Sequence, residues 1–342
     1  MASGKVARRT VVADVAALLD SPEIAALIAD LDAAGSPRGR PGYGAKALLG
    51  ACLIKSLFNL PTWTFVAALI AEHPGMQAAL GGRPSIWAMY RFATKLRKNR
   101  PALNACLDAC AASLRAANPD LGRDVAIDAS DLPAYANGHR FLRPGGPERE
   151  RYSDPDASWG HRSAVSTRAS GSFYGYKLDL AVCTRTGLPL AWQARSARHN
   201  ESTYVAPLLD ALHARGFRPE TCAMDKGYDS VRVHQECDER GVDAVVPLRA
   251  PKGGSKGQQT VIPIPTNGTR LNPHIERGTE RYRDLYRRRS AVEREFGRLK
   301  TLYGLGPLRV RGLARVQLHA DLTILARLSL ALSRAQAFQM AA

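Results

Sequence analysis

An α/β domain preceded by an all-α N-terminal domain is the fold class that this sequence predicts, and three observations carry it. Residues 1–120 place apolar side chains at helical spacing. Near residue 123 the pattern changes to short apolar runs ending in acids: Val125-Ala126-Ile127 before Asp128, and Thr221 to Met224 before Asp225. A helix and another strand follow the second run, an order that implies a parallel pair with a right-handed crossover. The 342 residues suffice for two domains. We assign 1–120 to a helical domain. Residues 121–342 form the second domain, with polar loops near 137–168 and 250–272.

In chain order, Ala45 to Leu57 reads as a helix, and Pro61 suits the entry to a second one over Trp63 to Ala71. His73-Pro74-Gly75 and Gly81-Gly82 are breaks. Ser85 is placed to cap a helix ending in Lys95, Arg97 and Lys98, and another covers about Ala102 to Ala116. Short helices with tight breaks and a basic final helix suit a helix-turn-helix-like module, and equally a packing or dimerisation domain. Beyond the strand at 125–128, Phe173 to Thr184 alternates, with Tyr174, Tyr176, Leu178, Leu180 and Val182 on one face. Gly187 turns the chain into a returning strand, Leu188 to Ala194. Thr203 to Ala214 is helical; Ser230 to Arg240 is a helix stopped by Gly241; Asp243 to Pro247 is a strand. Two helices close the chain, about Tyr282 to Leu302 and Leu313 to Ala337.

The net charge is +17, from 48 Lys and Arg against 31 Asp and Glu, which points to a polyanionic partner. No pair of the six cysteines has CxxC spacing, so buried free thiols in a reducing compartment are expected. The longest uncharged run, Ser56 to Ala71, is interrupted by Asn59, Pro61 and Thr62 and is too short to span a bilayer. No secretory signal opens the sequence, and a cytoplasmic protein without a membrane partner is expected.

Two acids, Asp128 and Asp225, follow apolar strands, where a carboxylate is held rigidly at the edge of a sheet. Either alone also suits a turn cap. The segment YRRRSAVEREFGRLK adds Tyr286, Arg289, Glu293 and Lys300, at steps of three, four and seven. On one continuous helix these four side chains share a face, with Arg294 and Glu295 elsewhere. A salt-bridged solvated helix would also place Arg289 four residues before Glu293.

With these residues the chain resembles bacterial insertion-sequence transposases of the DDE class, whose catalytic domain is RNase H-like, as in retroviral integrases. Tyr286, Arg289, Glu293 and Lys300 match the Y-x2-R-x3-E-x6-K signature. Ile127-Asp128-Ala129, Tyr174-Gly175-Tyr176-Lys177-Leu178 and Asp225-Lys226-Gly227-Tyr228-Asp229 match other motifs, and Tyr43 to Leu57 is similar to the helical leader. Glu201 stands where the family often has Asp, and the segment between 247 and 282 is too short for the β-rich insertion of some relatives. The resemblance implies a mixed RNase H-like sheet with flanking helices. It implies Asp128, Asp225 and Glu293 as catalytic acids holding two Mg²⁺ ions, with Mn²⁺ able to substitute. Tyr286, Arg289, Lys300 and Lys226 become the candidate DNA contacts. The partner is double-stranded DNA, both the element's terminal inverted repeats and the target. A homodimer or larger assembly on DNA, near the bacterial nucleoid, is expected. A catalytically inactive DNA-binding derivative and a nuclease without strand transfer are the alternatives.

Overall fold

The structure is a computed structural model that describes residues 10–34, 42–138, 140–141, 151–162, 169–248 and 275–341. Seven helices come first: α1 (Val11–Leu19), α2 (Pro22–Ala33), α3 (Ala45–Leu57), α4 (Trp63–Glu72), α5 (Pro74–Leu80), α6 (Ile86–Lys98) and α7 (Arg100–Ala117). Strands β1 (Asp124–Pro133), β2 (Arg140–Phe141), β3 (Arg151–Tyr152), β4 (Ser158–Arg162), β5 (Gly171–Cys183) and β6 (Pro189–Ser196) follow. Then come α8 (Val205–Ala214), β7 (Thr221–Ala223), α9 (Val231–Asp238), β8 (Asp243–Val245), α10 (Glu280–Arg287), α11 (Ser290–Thr301) and α12 (Leu313–Ala341). The chain divides into two compact units: the described parts of 1–119, 132–157 and 297–342, and those of 120–131 and 158–296.

The first unit is helical apart from the β2–β3 ribbon. Local chemistry sets the helix starts. Thr10, Thr62 and Ser85 each accept the backbone N–H three residues on, capping α1, α4 and α6. The breaks read at 73–75 and 81–82 bound a short helix, α5, opened by Pro74 and closed by Gly81 at a φ of 70°. Helix α3 is the centre of this unit, with Leu49, Cys52, Leu53 and Ile54 all buried. Gly50 lets its neighbours close in, since a Cβ there would stand 2.1 Å from Leu80 Cδ2. Helix α12 packs on α3 and α7, burying Val316, Ile324, Leu325 and Leu328.

The second unit is built on a mixed sheet in which β6, β5, β1, β7 and β8 are successive neighbours. Its order and its flanking helices are RNase H-like. Strands β1, β7 and β8 run parallel, in register Asp124 with Thr221 and Thr221 with Asp243. Strands β5 and β6 are antiparallel, with Lys177 opposite Arg195 and Asp179 opposite Gln193. Helix α8 packs against β5 and β6, and α9 against β8 and α8.

Three elements differ from their sequence reading. Strand β1 runs on past Asp128 to Pro133, although its parallel pairing with β7 ends at Ala126. Parts of the expected polar loop at 137–168 are strands: β2 pairs with β3, and β4 runs antiparallel to β5. The residues of β4 alternate between half-buried and exposed, so SWGHR shows no apolar alternation to read. Residues 142–150, 163–168 and the loop at 250–272 lie outside the described residues. The single helix read over 282–302 is two helices, α10 and α11, divided at Arg288 and Arg289. Backbone bonds from Arg289 to Tyr286, Ala291 to Arg288 and Val292 to Arg289 tighten the junction into a 3₁₀ turn.

Among the described residues no helix is long and apolar enough to cross a membrane. All six cysteines are free and buried.

Candidate active site

The tight turn between α10 and α11 carries two consecutive arginines that pair with β1. Arg288 reaches Asp124 on β1 (Nη1 to Oδ2, 3.6 Å), and Arg289 reaches Asp128 on the same strand (Nη1 to Oδ2, 3.6 Å). Ser290 Oγ donates to the Arg287 carbonyl, closing α10 where α11 begins. Arg289 also donates from Nη2 to Glu293 Oε1 at 2.7 Å, so one guanidinium spans Asp128 and Glu293. Burial works against its charge, but the Glu293 bond and the charges of Glu293 and Asp128 outweigh that and raise its pKa.

The four signature residues therefore do not share a continuous helix. Tyr286 lies on α10, Arg289 in the turn, and Glu293 in the first turn of α11 with half of its side chain exposed. Tyr286 stacks parallel to Tyr282 at 6.1 Å, and the Arg289 guanidinium sits 5.8 Å from the Tyr286 ring. Lys300 is in the last turn of α11, beyond Phe296, where the second unit ends.

Asp128 accepts the Ala129 N–H at 2.8 Å, and about a fifth of its side chain is exposed. Burial pushes its carboxyl up to about 7. The Ala129 bond opposes the rise, Glu201 adds to it, Arg289 opposes it, and Asp225 adds a smaller push. Asp225 follows β7 and opens a 3₁₀ turn, Lys226–Tyr228, by accepting the Gly227 N–H. Glycine makes that approach possible: a Cβ at 227 would stand 2.9 Å from Asp225 Oδ1. Lys226 is exposed beside Asp225.

Sequence reasoning set Glu201 aside, yet the structure gives it a place. Its 3₁₀ turn, Glu201–Tyr204, touches the Lys226–Tyr228 turn, and Lys177 on β5 pairs with its carboxylate. A buried ion pair anchors this corner. Arg195 on β6 grips Asp179 on β5 through Nε and Nη2, donates from Nη1 to the His199 carbonyl, and lies 4.7 Å from the Tyr204 ring. Burial pushes Asp179 up to about 6, against the Arg195 bonds. Tyr228 is 2% exposed and its hydroxyl has no hydrogen-bond partner among the described residues. Burial, then the charges of Asp128, Glu201 and Asp179, hold that phenol protonated. The sequence shows Tyr228 only as part of the Asp225-Lys226-Gly227-Tyr228-Asp229 motif; neither its burial nor its empty hydroxyl was legible there.

A family model for the transposase DDE domain matches residues 120–329, more than half of the chain. The chain belongs to the transposase DDE domain family. It is also 29% identical over 155 residues to a protein of Burkholderia cepacia described as a transposase for insertion sequence element IS402. That match spans 40% of this chain and 72% of the relative. No solved structure matches.

Membership of the transposase DDE domain family implies metal-dependent chemistry. Among the described residues no three His, Cys, Asp or Glu side chains are gathered closely enough to hold an ion. The donors still suit a hard divalent cation in kind. They are carboxylate oxygens, one of them in a buried setting where other acids disfavour its charge. The Arg289 guanidinium supplies the positive charge between Asp128 and Glu293.

Proposed function

We propose that this chain is a DNA transposase that cuts at insertion-sequence ends and joins them to target DNA, using Asp128, Asp225 and Glu293 as its metal-holding acids. The observation that carries the reading is the Arg289 bridge, which draws a β1 acid and an α11 acid to one guanidinium. Asp225 adds its charge to the same surroundings, because it contributes to the rise at Asp128.

Asp128, Asp225 and Glu293 would together hold two Mg²⁺ or Mn²⁺ ions. When bound, such ions activate the attacking oxygen and stabilise the leaving one. Asp128 must give up its proton to serve as a ligand. Arg289, which spans Asp128 and Glu293, would orient both carboxylates. Lys226, exposed beside Asp225, and Lys300, farther along α11, add positive charge for neighbouring phosphates. Tyr286 presents a ring already stacked on Tyr282 for a terminal base or sugar. In this reading residues 1–120 bind DNA, pair two copies, or do both. The assembly on double-stranded DNA is a dimer or larger.

Incubation with labelled element ends and a target plasmid tests the proposal. Cutting and joining are expected from the wild type, and neither from Asp128→Asn, Asp225→Asn or Glu293→Gln, each of which keeps shape but removes a ligand charge. End binding should survive in all three. Cutting without joining would make the protein a nuclease, binding without cutting an inactive derivative. Full activity in any one variant removes that acid from the site.

A further inference from the structure

The first unit exposes a set of aromatic rings that the proposed chemistry leaves unused. Trp63 on α4 meets Tyr90 on α6 edge-on at 6.4 Å, and Trp87 lies 6.1 Å from the same Tyr90. Trp87 is 73% exposed and Tyr90 51%. Side chains of this size normally bury most of their surface, so a ring cluster left in water marks a contact surface.

What surrounds the rings identifies the occupant. Trp87, Tyr90, Arg91, Thr94 and Lys98 follow steps that return to one face of α6, and all five are exposed. Helix α6 contains Arg91, Lys95, Arg97 and Lys98 and not one acid. Lys55 places its ammonium 5.8 Å from the Trp63 ring. Arg315 stands close enough to Arg97 to oppose its charge, though burial does so more strongly. A face joining two copies of the chain would set these cations against each other. A polyanion neutralises them, and open rings select a polyanion whose bases have free faces, which a duplex lacks.

We propose that the outer face of α6, with Trp63 beside it, binds unpaired DNA, with bases stacked on Trp87 and Tyr90 and phosphates on Arg91 and Lys98. The inference rests on the reading of the protein as one that acts on DNA, and it adds a place where strands separated from the duplex are held.

The test uses the full chain and two fluorescent probes, a single-stranded oligothymidylate of about 20 nucleotides and a duplex of similar length. Trp87→Ala and Tyr90→Ala should each weaken the single strand about tenfold, on the scale of one lost base stack. Duplex binding should change little, and Trp87→Phe should restore most of the affinity. Arg91→Ala should flatten the salt dependence of single-strand binding. Melting curves check that the surface variants stay folded. Asp128→Asn, inactive in cleavage under the proposed function, should bind the oligothymidylate like wild type, so the two ideas fail separately. A wild type that ignores the single strand, or ring variants that bind it unchanged, would overturn the inference. So would ring variants that lose only self-association in sedimentation, which would make the face a contact between copies.

Discussion

Arg289 holds Asp128 and Glu293 at once, and only a planar two-pronged cation does that from one position. Lysine in its place keeps the charge but reaches one carboxylate. We therefore expect Arg289→Lys to raise the metal concentration needed for half-maximal cleavage about tenfold, the usual scale for a residue that orients ligands. Affinity for element ends should stay unchanged. Metal titrations and end-binding measurements run side by side decide, and the reverse pattern would make Arg289 a phosphate contact. Tyr228 is expected to behave differently. Its hydroxyl is buried with no partner among the described residues, so Tyr228→Phe removes a desolvated group and no bond. The metal-free variant should melt at or slightly above the wild-type temperature, and a clear drop would reveal a partner for the hydroxyl. The position of Asp225 after an apolar strand was legible because β7 is a short apolar run with a visible end, whereas β1 continues past Asp128 and the end read there was not a strand end. Glu201 facing Lys177, and Asp179 inside Arg195, were not, because those pairs depend on which strand and turn fold back together.

Strands β5 and β6 show the same contrast at the scale of an element. The alternation from Tyr174 to Val182 was read as one buried face, but the opposite face is buried as well and carries Asp179. Arg195 makes that tolerable, and its removal strands a carboxylate in the core. Arg195→Ala should cost about 3–5 kcal/mol of stability, the usual penalty for breaking a buried pair. Denaturant midpoints measure it, and a loss within the range of a surface substitution would mean that water reaches Asp179. The α10–α11 break hid from sequence reading for a related reason. Every residue from Tyr282 to Leu302 is compatible with helix, and the break falls where consecutive arginines pair with Asp124 and Asp128 on another element. Helix α12 was visible as a helix from its apolar spacing. Its packing against α3 and α7 was not, since helix faces do not name their neighbours.

For the whole molecule, two buried carboxyls set an acid-side stability. An unfolded aspartate ionises near about 3.9, whereas folded Asp128 keeps its proton up to about 7 and Asp179 up to about 6. Within that window the folded state binds protons that the unfolded state has released. The stabilisation from both groups is therefore complete on the acid side and is lost as pH rises through their folded values. Metal-free wild type should lose stability relative to Asp128→Asn between roughly pH 4 and pH 7, and parallel melting curves would exclude the raised carboxyl. The general architecture was legible in outline, because charge, helical spacing and strand–helix–strand order are chain-wide patterns that survive local error. A practical consequence follows from the six cysteines. Each lies within the core, at 4% exposure or less, and burial pushes the Cys52 and Cys237 thiols up to about 12. Maleimide dyes react with accessible thiolates, so the folded chain should be almost inert to them. A cysteine introduced at Thr94 would then be the one reactive handle, and a fluorophore or spin label could be attached there without first stripping out the native thiols.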